Sequence, residues 1–339
     1  NLPEARLVDG LDIDGAADLA GVLHRFGADV HANTLRLMPV PTVRTETAGE
    51  TFPREPVLDF SEVIGQAQAC RAAEVAAAGA HHLLLLGPPG AGKTMIASRL
   101  PGILPPLEND DALAVSAIHS LAGRFDASSG LLRTPPFENP HHTASAAAVV
   151  GGGAGLALPG AISRAHAGVL FLDEAPEFPS RVLEALREPL ETGDITLHRA
   201  RAVTRYPARF QLILAANPCP CGKAWGKGEG CSCTAHQRRR YRSRLSGPVL
   251  DRVDMRVGVG PVDVHRVAAE TAESSAVIAA RVSAARARQR ERYEGRHWMT
   301  NAHLPGPLLR REFSPEPSER RLLDHAVAQG RLTLRGHDR

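Results

Sequence analysis

The sequence predicts an α/β fold in which helices cover both faces of a parallel sheet, followed by a C-terminal helical domain. Three short and nearly continuous apolar runs carry this prediction, at 82–86, 168–172 and 210–216. Runs of this kind are typical of strands that are buried on both faces. Helical patterns lie between the runs, notably over 180–191, and strands that alternate with helices favour a parallel sheet.

Composition excludes several classes of protein. The chain has 339 residues, of which 43% are hydrophobic and 23% charged, and its net charge is +3. This length predicts about two domains at ~150 residues each. A membrane-spanning helix needs roughly 20 apolar residues, and the best candidate, 146–162, is interrupted by glycines and proline. Without a secretory leader at its start, we expect a cytoplasmic protein, and a fragment of a longer one.

The elements follow in chain order. Residues 1–55 are predicted to be a connector with a helical pattern over 14–26, and a helix is predicted from Ser61 to Ala78, where Asp59 and Ser61 mark its start. A short helix is expected at 95–100, and a hairpin is expected over 194–211. Beyond about residue 260 the apolar strands stop, and amphipathic patterns predict helices over 264–292 and 318–330.

A glycine-rich loop follows the first predicted strand and precedes a helix. It fits the pattern G-x-x-x-x-G-K-[ST] and consists of Gly87, Pro88, Pro89, Gly90, Ala91, Gly92, Lys93 and Thr94. Backbone N–H groups of such a loop surround phosphate oxygens, aided by the helix N-terminus. The lysine places a charge on the β- and γ-phosphates, and the threonine hydroxyl binds magnesium. We therefore predict binding of ATP with Mg²⁺.

Polar residues end the other two predicted strands. Asp173 and Glu174 follow the second strand, and Asn217 follows the third. Ligands bind at the carboxyl ends of strands in open α/β sheets, so these side chains are expected beside the glycine loop. We expect Asp173 to hold the magnesium, Glu174 to orient or deprotonate a water, and Asn217 to sense the γ-phosphate or polarise that water, although a buried structural asparagine is an equal alternative.

These motifs together resemble an AAA+ ATPase of the magnesium-chelatase-like group, and within it the ComM/YifB family. The resemblance extends over about 56–339. Besides the segments above, it is carried by Ile64-Gly65-Gln66, Pro140-His141-His142-Thr143-Ala144-Ser145, Gly151-Gly152-Gly153, Asn217-Pro218-Cys219-Pro220-Cys221-Gly222 and the run from Leu245 to Asp254. It implies an AAA+ P-loop domain at 56–260 and a truncated helical lid at 261–339, preceded at 1–55 by the tail of a Lon-like domain and a linker.

The resemblance also implies a function and further site residues. It implies a homo-hexameric ring with ATP at its subunit interfaces, and a helicase that extends branches on single-stranded or branched DNA during recombination of incoming DNA. Arg252 matches an arginine finger that acts on the neighbouring subunit, and Arg335 matches a sensor arginine of the lid. Two alternatives stay open: an ATPase subunit of a magnesium chelatase, and a nucleotide-gated scaffold.

Four of the five cysteines form a C-x-C-x9-C-x-C pattern: Cys219, Cys221, Cys231 and Cys233. Four thiolates can close a tetrahedral structural zinc site, and exposed reduced thiols are the alternative. In related rings a hairpin points into the pore, so we expect His198, Arg199, Arg201 and Arg205, near the hairpin tip, to contact DNA; pairing with carboxylates is the alternative. His141 and His142 lack a nearby partner at ligand spacing, and we expect an insert loop packed on the core rather than a metal site.

Overall fold

The computed structural model describes residues 2–16, 19–27, 58–153, 157–199, 202–228, 230–245, 247–262 and 272–330. Its strands are, in chain order, β1 (Leu83–Leu86), β2 (Phe137–Glu138), β3 (Gly151–Gly152), β4 (Leu158–Pro159), β5 (Val169–Leu172), β6 (Asp194–Arg199), β7 (Ala202–Pro207), β8 (Gln211–Ala216) and β9 (Met255–Gly258). Its α-helices are α1 (Leu2–Ala5), α2 (Leu19–Arg25), α3 (Ala67–Gly79), α4 (Lys93–Arg99), α5 (Asn109–Leu121), α6 (Ala146–Val150), α7 (Ala161–Arg164), α8 (Ser180–Ala185), α9 (Arg187–Thr192), α10 (Ala235–Ser243), α11 (Gly247–Leu250), α12 (Ser275–Arg292), α13 (Gly306–Glu312) and α14 (Pro317–Ala328). In these ranges, no helix is both long and apolar enough to cross a membrane.

A five-stranded parallel sheet organises the described part of the chain, with the strand order β2-β5-β8-β1-β9. Its three central strands are the three predicted apolar runs, and this confirms the parallel sheet. The sequence does not predict β2 or β9. β2 is only two residues long, and β9 alternates buried and exposed positions because it lies at an edge of the sheet.

The sheet separates two hydrophobic clusters, one on each face. Side chains alternate between the faces along each strand, so β1 sends Leu84 to one cluster and Leu83 and Leu85 to the other. β5 divides in the same way, with Leu170 and Leu172 on the first face. Helices α7 and α8 cover that face, whereas α3, α4 and α12 cover the opposite one. Helices therefore lie on both faces, as the sequence predicts.

The predicted helix from Ser61 to Ala78 is two elements. A 3-10 turn at 60–62 begins after Asp59, whose carboxylate accepts a hydrogen bond from the Ser61 amide, and α3 begins only at Ala67. Gly65 separates them with a φ of +75°, and a Cβ there would lie 2.5 Å from a Val262 methyl carbon. The turn ends at Val63, whose backbone is extended, and the left-handed backbone at Gly65 lies between the turn and α3. The periodic pattern of apolar residues does not reveal this break.

The helical pattern over 180–191 is also divided, into α8 and α9, which meet at Leu186. Pro189 lies in the first turn of α9, where its missing N–H removes no intrahelical bond. The break between the two helices therefore accommodates Pro189. It also keeps the apolar side of the segment buried, because Val182, Leu183 and Leu186 all lie in one hydrophobic cluster.

The hairpin predicted over 194–211 is present as β6 and β7, and β8 follows it. Ile195, Leu197 and Tyr206 bury one face, and the Tyr206 hydroxyl donates to the Ala157 carbonyl at 2.5 Å. Residues 200 and 201 at the tip lie outside the described residues.

Helix α12 packs on the sheet domain. Ile278 and Val282 lie in the same cluster as Phe60 and Ile96, and the Arg281 guanidinium is bound to the carboxylates of Glu74 and Glu273. Helices α13 and α14 bury no residue within the described chain. Of the helix predicted over 264–292, residues 275–292 form α12, and residues 264–271 lie outside the described residues.

Candidate nucleotide-binding site

The carboxyl ends of β1, β5 and β8 meet at one edge of the sheet and form a cleft of about 560 Å³. Its wall is formed by the glycine-rich loop, by the residues that follow β5 and β8, and by residues 139–142 that follow β2. Parallel strands bring their carboxyl ends to one edge, which is why segments far apart in the sequence share this cleft.

Lys93 begins α4 and is 7% exposed at the bottom of the cleft. Its Nζ donates to the carbonyls of Gly87 and Pro88 at 2.8 and 2.9 Å and to Asn217 Oδ1 at 3.1 Å. Burial lowers the pKa of Lys93, while Asp173 and Glu174 oppose that shift. A desolvated ammonium held by neutral oxygens in this way is available to anionic phosphate oxygens.

Thr94 and Asp173 supply adjacent oxygens. The Thr94 hydroxyl donates to Asp173 Oδ2 at 2.6 Å, and the Glu174 amide donates to Asp173 Oδ1 at 2.9 Å. Magnesium prefers a few protein oxygens of this kind, with water and substrate phosphates completing its octahedron. The hydroxyl and carboxylate oxygens therefore fit the expected Mg²⁺ site.

Glu174 has a left-handed backbone, with φ +50° and ψ 42°, and its side chain is half-exposed toward the cleft. A non-glycine residue with positive φ is uncommon and occurs at strained functional turns. Its Oε2 lies 3.2 Å from Nδ1 of His142. The His142 ring in turn packs edge-on against Phe178, with 6.5 Å between the ring centroids.

The sequence prediction does not include the contact between His142 and Glu174. It expects His141 and His142 to lie on an insert loop that packs on the core. The short strand β2 runs parallel to β5 and delivers His142 to the same sheet edge. Had β2 been recognised as a strand, the sequence would have predicted that His142 lies near Glu174.

Gln66 is a second residue that sequence reasoning did not assign to the site. Its side-chain amide donates to the Ala91 carbonyl of the glycine loop at 3.1 Å and to the Gly260 carbonyl at 2.7 Å. It therefore ties the loop to the segment that follows β9. Its signal is the Ile64-Gly65-Gln66 segment, which carries part of the family resemblance.

Arg252 does not extend outward as an arginine finger is expected to. It is 3% exposed, donates to the Pro248 carbonyl and pairs with Glu191 of α9. The reason is local, because Val249 and Val253 on either side are buried in the core and draw the backbone inward. The role in a neighbouring subunit stays a prediction, and it requires Arg252 to leave Glu191.

The residues expected to bind DNA are distributed along the hairpin. His198 is exposed and pairs with Val203 next to the tip, and Arg199 ends β6. Arg205 is not near the tip: it is aligned with Thr196, and its guanidinium binds Asp194 at 2.6 Å. Antiparallel register places it in the half of the hairpin away from the turn. Arg201 and Arg335 lie outside the described residues.

The four cysteines predicted to bind zinc converge. The sulfur atoms of Cys219 and Cys221 are 3.4 Å apart, both lie 3.7 Å from that of Cys231, and all four sulfurs lie within 4.8 Å of one another. A backbone hydrogen bond from Lys223 lowers the pKa of the Cys221 thiol to about 6, whereas burial and the neighbouring thiols raise the pKa of Cys231 and of Cys233. The thiolate is the form that binds metals. The cluster has the composition of a closed structural metal site.

Comparisons with known proteins find sequence matches over most of the chain. The family described as "Magnesium chelatase, subunit ChlI" matches residues 59–267, and its C-terminal domain matches residues 272–339. An uncharacterized protein of Mycobacterium tuberculosis is 50% identical over 339 residues, which are 100% of this chain and 65% of that protein. The competence protein ComM of Haemophilus influenzae is 40% identical over 304 residues, 89% of this chain and 58% of ComM.

Among solved structures, a complex between subunits BchI and BchD of magnesium chelatase has a chain that matches with 21% identity and a TM-score of 0.41, over 71% of this chain and 78% of that one. The chain spans 54–65% of the length of the mycobacterial, YifB and ComM relatives that it matches.

Proposed function

Because the chain belongs to the magnesium-chelatase-like AAA+ family, and within it to the ComM/YifB group, we propose that it forms a hexameric ring that hydrolyses ATP at its subunit interfaces. Hydrolysis drives DNA translocation and branch migration in the recombination of incoming DNA. One observation carries the ATPase proposal: Lys93, Thr94, Asp173, Glu174 and Asn217 surround a single cleft at the sheet edge.

Each residue has a separate task in this mechanism. Lys93 neutralises the β- and γ-phosphates, while the amides of the glycine loop hold their oxygens. Thr94 and Asp173 hold Mg²⁺, which when bound neutralises charge on the transferred phosphoryl group. Glu174 orients the attacking water and accepts its proton. Asn217, which accepts a hydrogen bond from Lys93, senses the γ-phosphate or polarises that water.

Two arginines complete the proposed machinery. Arg252 reaches the γ-phosphate of the neighbouring subunit after it leaves Glu191, and Arg335 of the lid acts on the nucleotide of its own subunit. An arginine supplied across an interface is worth on the order of 10³-fold or more in kcat. Hydrolysis therefore depends on ring assembly, because the ATP bound to one subunit needs Arg252 of the adjacent subunit.

Two further parts of the proposal concern partners and compartment. The relative named ComM is a competence protein, which supports DNA as the partner. His198, Arg199 and Arg201 at the hairpin contact the phosphate backbone, whereas Arg205 is already paired with Asp194. We propose a cytoplasmic protein with structural Zn²⁺ as its third cofactor beside ATP and Mg²⁺, since reduced thiols persist in that compartment.

The test is ATP hydrolysis by the full-length protein with and without single-stranded and forked DNA, at two salt concentrations. We expect DNA to stimulate turnover and added salt to weaken that effect, because phosphate contacts release counterions. Glu174→Gln is expected to lower kcat by at least about 10²-fold, the typical contribution of a general base, with nucleotide binding retained.

Other outcomes would replace the proposal. A Glu174→Gln variant with wild-type turnover would contradict the assigned mechanism. Stimulation by a porphyrin and a partner subunit, but not by DNA, would indicate a chelatase, and a slow rate that DNA does not change would indicate a scaffold. An Arg199→Ala/Arg201→Ala variant should lose more of the DNA stimulation than Arg205→Ala.

A further inference from the structure

The loop that carries the four cysteines begins directly after Asn217, at the end of β8. If a metal–sulfur bond is about 2.3 Å long, tetrahedral geometry separates the sulfurs by about 3.8 Å. The separations of 3.4, 3.7 and 3.7 Å among the sulfurs of Cys219, Cys221 and Cys231 lie close to that value, and the Cys233 sulfur lies within 4.8 Å of each of them. They are much longer than the ~2.05 Å of a disulfide bond. The sulfurs thus surround a space of the size that one thiophilic cation needs.

We propose that these thiolates bind one Zn²⁺ ion and that the metal-bound loop, 218–233, supports the phosphate loop of the nucleotide site. The metal site is the one named in the proposed function, and the new inference is the supporting role, which rests on the nucleotide site of that function. The metal has a structural role, because four protein ligands leave no open position for a water or a substrate.

Gly222 is the point of contact between the two loops. A Cβ at this position would lie 2.5 Å from Cδ and 2.7 Å from Cγ of Pro89. Such distances mean that the Gly222 backbone is packed directly against the proline ring of the phosphate loop. The φ of Gly222 is +76°, which glycine adopts without the cost that a side chain brings. The cysteine loop therefore forms one wall behind Pro89.

Trp225 anchors the same loop on a second element of the site. Its ring lies against Gly258 and Gly260, where added Cβ atoms would be 3.0 and 3.3 Å from the indole. The Gly260 carbonyl also accepts the hydrogen bond from Gln66, which binds the phosphate loop at Ala91. The cysteine loop is thus in contact with the phosphate loop itself, at Pro89, and with the segment 258–260 that Gln66 ties to it.

Both ends of the loop are held near Asn217. At one end Cys219 is fully buried two residues after Asn217. At the other end Thr234 begins α10 with a reciprocal capping box, and Tyr241 of that helix, 4% exposed, accepts a hydrogen bond from the Asn217 backbone. A metal that joins Cys219 and Cys221 to Cys231 and Cys233 holds the two ends of the intervening chain together. Without the metal, closing this loop costs conformational entropy. Without the metal, we expect Gly222 to leave Pro89.

The first experiment measures the metal in the full-length protein. Metal analysis should find one Zn²⁺ per chain. Replacement by Co²⁺ should give the visible absorption of a tetrahedral tetrathiolate site, which is independent of any activity. Absence of both signals from folded protein would overturn the metal site.

The second experiment separates the metal from its supporting role by a pair of glycine variants. Gly222→Ala places a methyl group against Pro89 and leaves every cysteine in place. Gly228→Ala is the matched control, because Gly228 lies in the same loop with a φ of +73°, and its added Cβ meets only the Ala224 Cα, at 4.0 Å. Backbone strain is therefore similar in the two variants, and only one of them disturbs the phosphate loop.

Binding of mant-ADP with Mg²⁺, followed by fluorescence, gives the result. We expect Gly222→Ala to keep its metal and to raise the Kd about tenfold relative to Gly228→Ala, which corresponds to ~1.4 kcal/mol. A Cys231→Ser/Cys233→Ser variant should lose the metal and weaken binding likewise. Equal Kd values for the two glycine variants would overturn the supporting role. If wild type holds the metal but fails to bind mant-ADP, the proposed function falls together with the supporting role, and the metal site stands.

Discussion

At the carboxyl end of β5, the carboxylate of Glu174 lies beside the imidazole of His142, which comes from a different strand. The strained backbone of Glu174 points its side chain into the cleft, and His142 is the neighbour that limits where the carboxylate lies. Since a general base must be positioned within hydrogen-bond reach of its water, we infer that His142 positions the Glu174 carboxylate within the cleft.

We therefore expect His142→Ala to lower kcat for ATP about tenfold, equivalent to ~1.4 kcal/mol of barrier, and to change KM by less than that factor. His142→Asn, which keeps a polar side chain near Glu174, should recover part of the loss. His297→Ala is the control, because His297 is exposed and is not among the residues that line the cleft. Steady-state kinetics check this, and a kcat for His142→Ala within twofold of wild type would show that the contact does not matter.

At the scale of secondary-structure elements, a buried neutral histidine stabilises the turn between α7 and β5. His166 is 1% exposed, and its Nδ1 accepts the Arg209 amide at 3.1 Å, which joins this turn to the start of β8. Burial, supported by Arg209, lowers the pKa of His166 to about 4, although Asp111 and Asp194 oppose the shift. Nδ1 can accept this bond only when the ring nitrogen carries no proton.

This pKa predicts a pH dependence of stability. In the unfolded chain His166 takes up a proton near its ordinary value of about 6.5, whereas the folded protein resists protonation down to about 4. The stabilisation is complete above pH 6.5 and is lost as the pH falls from 6.5 to 4, up to ~3 kcal/mol over that range.

Urea unfolding at pH 7 and pH 4.5 checks this expectation. His166→Asn keeps an acceptor for the Arg209 amide but does not titrate, so its free energy of unfolding should fall less on acidification than that of wild type. Equal losses in the two proteins would show that His166 does not cause the acid sensitivity.

At the scale of the whole molecule, the position of Arg252 raises the question of assembly. Within one chain it is buried against Glu191, yet the proposed hydrolysis needs it at the neighbouring subunit's nucleotide. Both are compatible if ring formation or ATP binding exchanges Glu191 for phosphate as the partner of Arg252. While Arg252 is paired with Glu191, an unassembled subunit is expected to stay inactive.

Mixed rings test this exchange. Arg252→Ala and Glu174→Gln proteins are each expected to be nearly inactive, because each lacks one half of every active interface. Mixing them places an intact Glu174 opposite an intact Arg252 at some interfaces, and ATPase activity should reappear. Arg252→Ala mixed with itself is the control, and a mixture that stays inactive would contradict action across subunits.

Sequence alone was sufficient for the parts of this protein that depend on local pattern. The central strands were predictable because continuous apolar runs bury both faces, and Lys93, Thr94, Asp173 and Asn217 follow from their positions at strand ends, where a parallel sheet gathers them. The four cysteines were predictable as a group for the same reason, since their spacing keeps them in one short loop.

Only the tertiary structure decided which of these residues touch. The contacts of His142 with Glu174, Arg252 with Glu191, and Gly222 with Pro89 join residues that lie 32, 61 and 133 positions apart. The spacing of residues along the sequence does not predict these contacts. Each contact depends on how two distant segments pack against each other in the fold. The register of the hairpin likewise decided that Arg205 binds Asp194, since one residue of shift would turn its side chain to the other face.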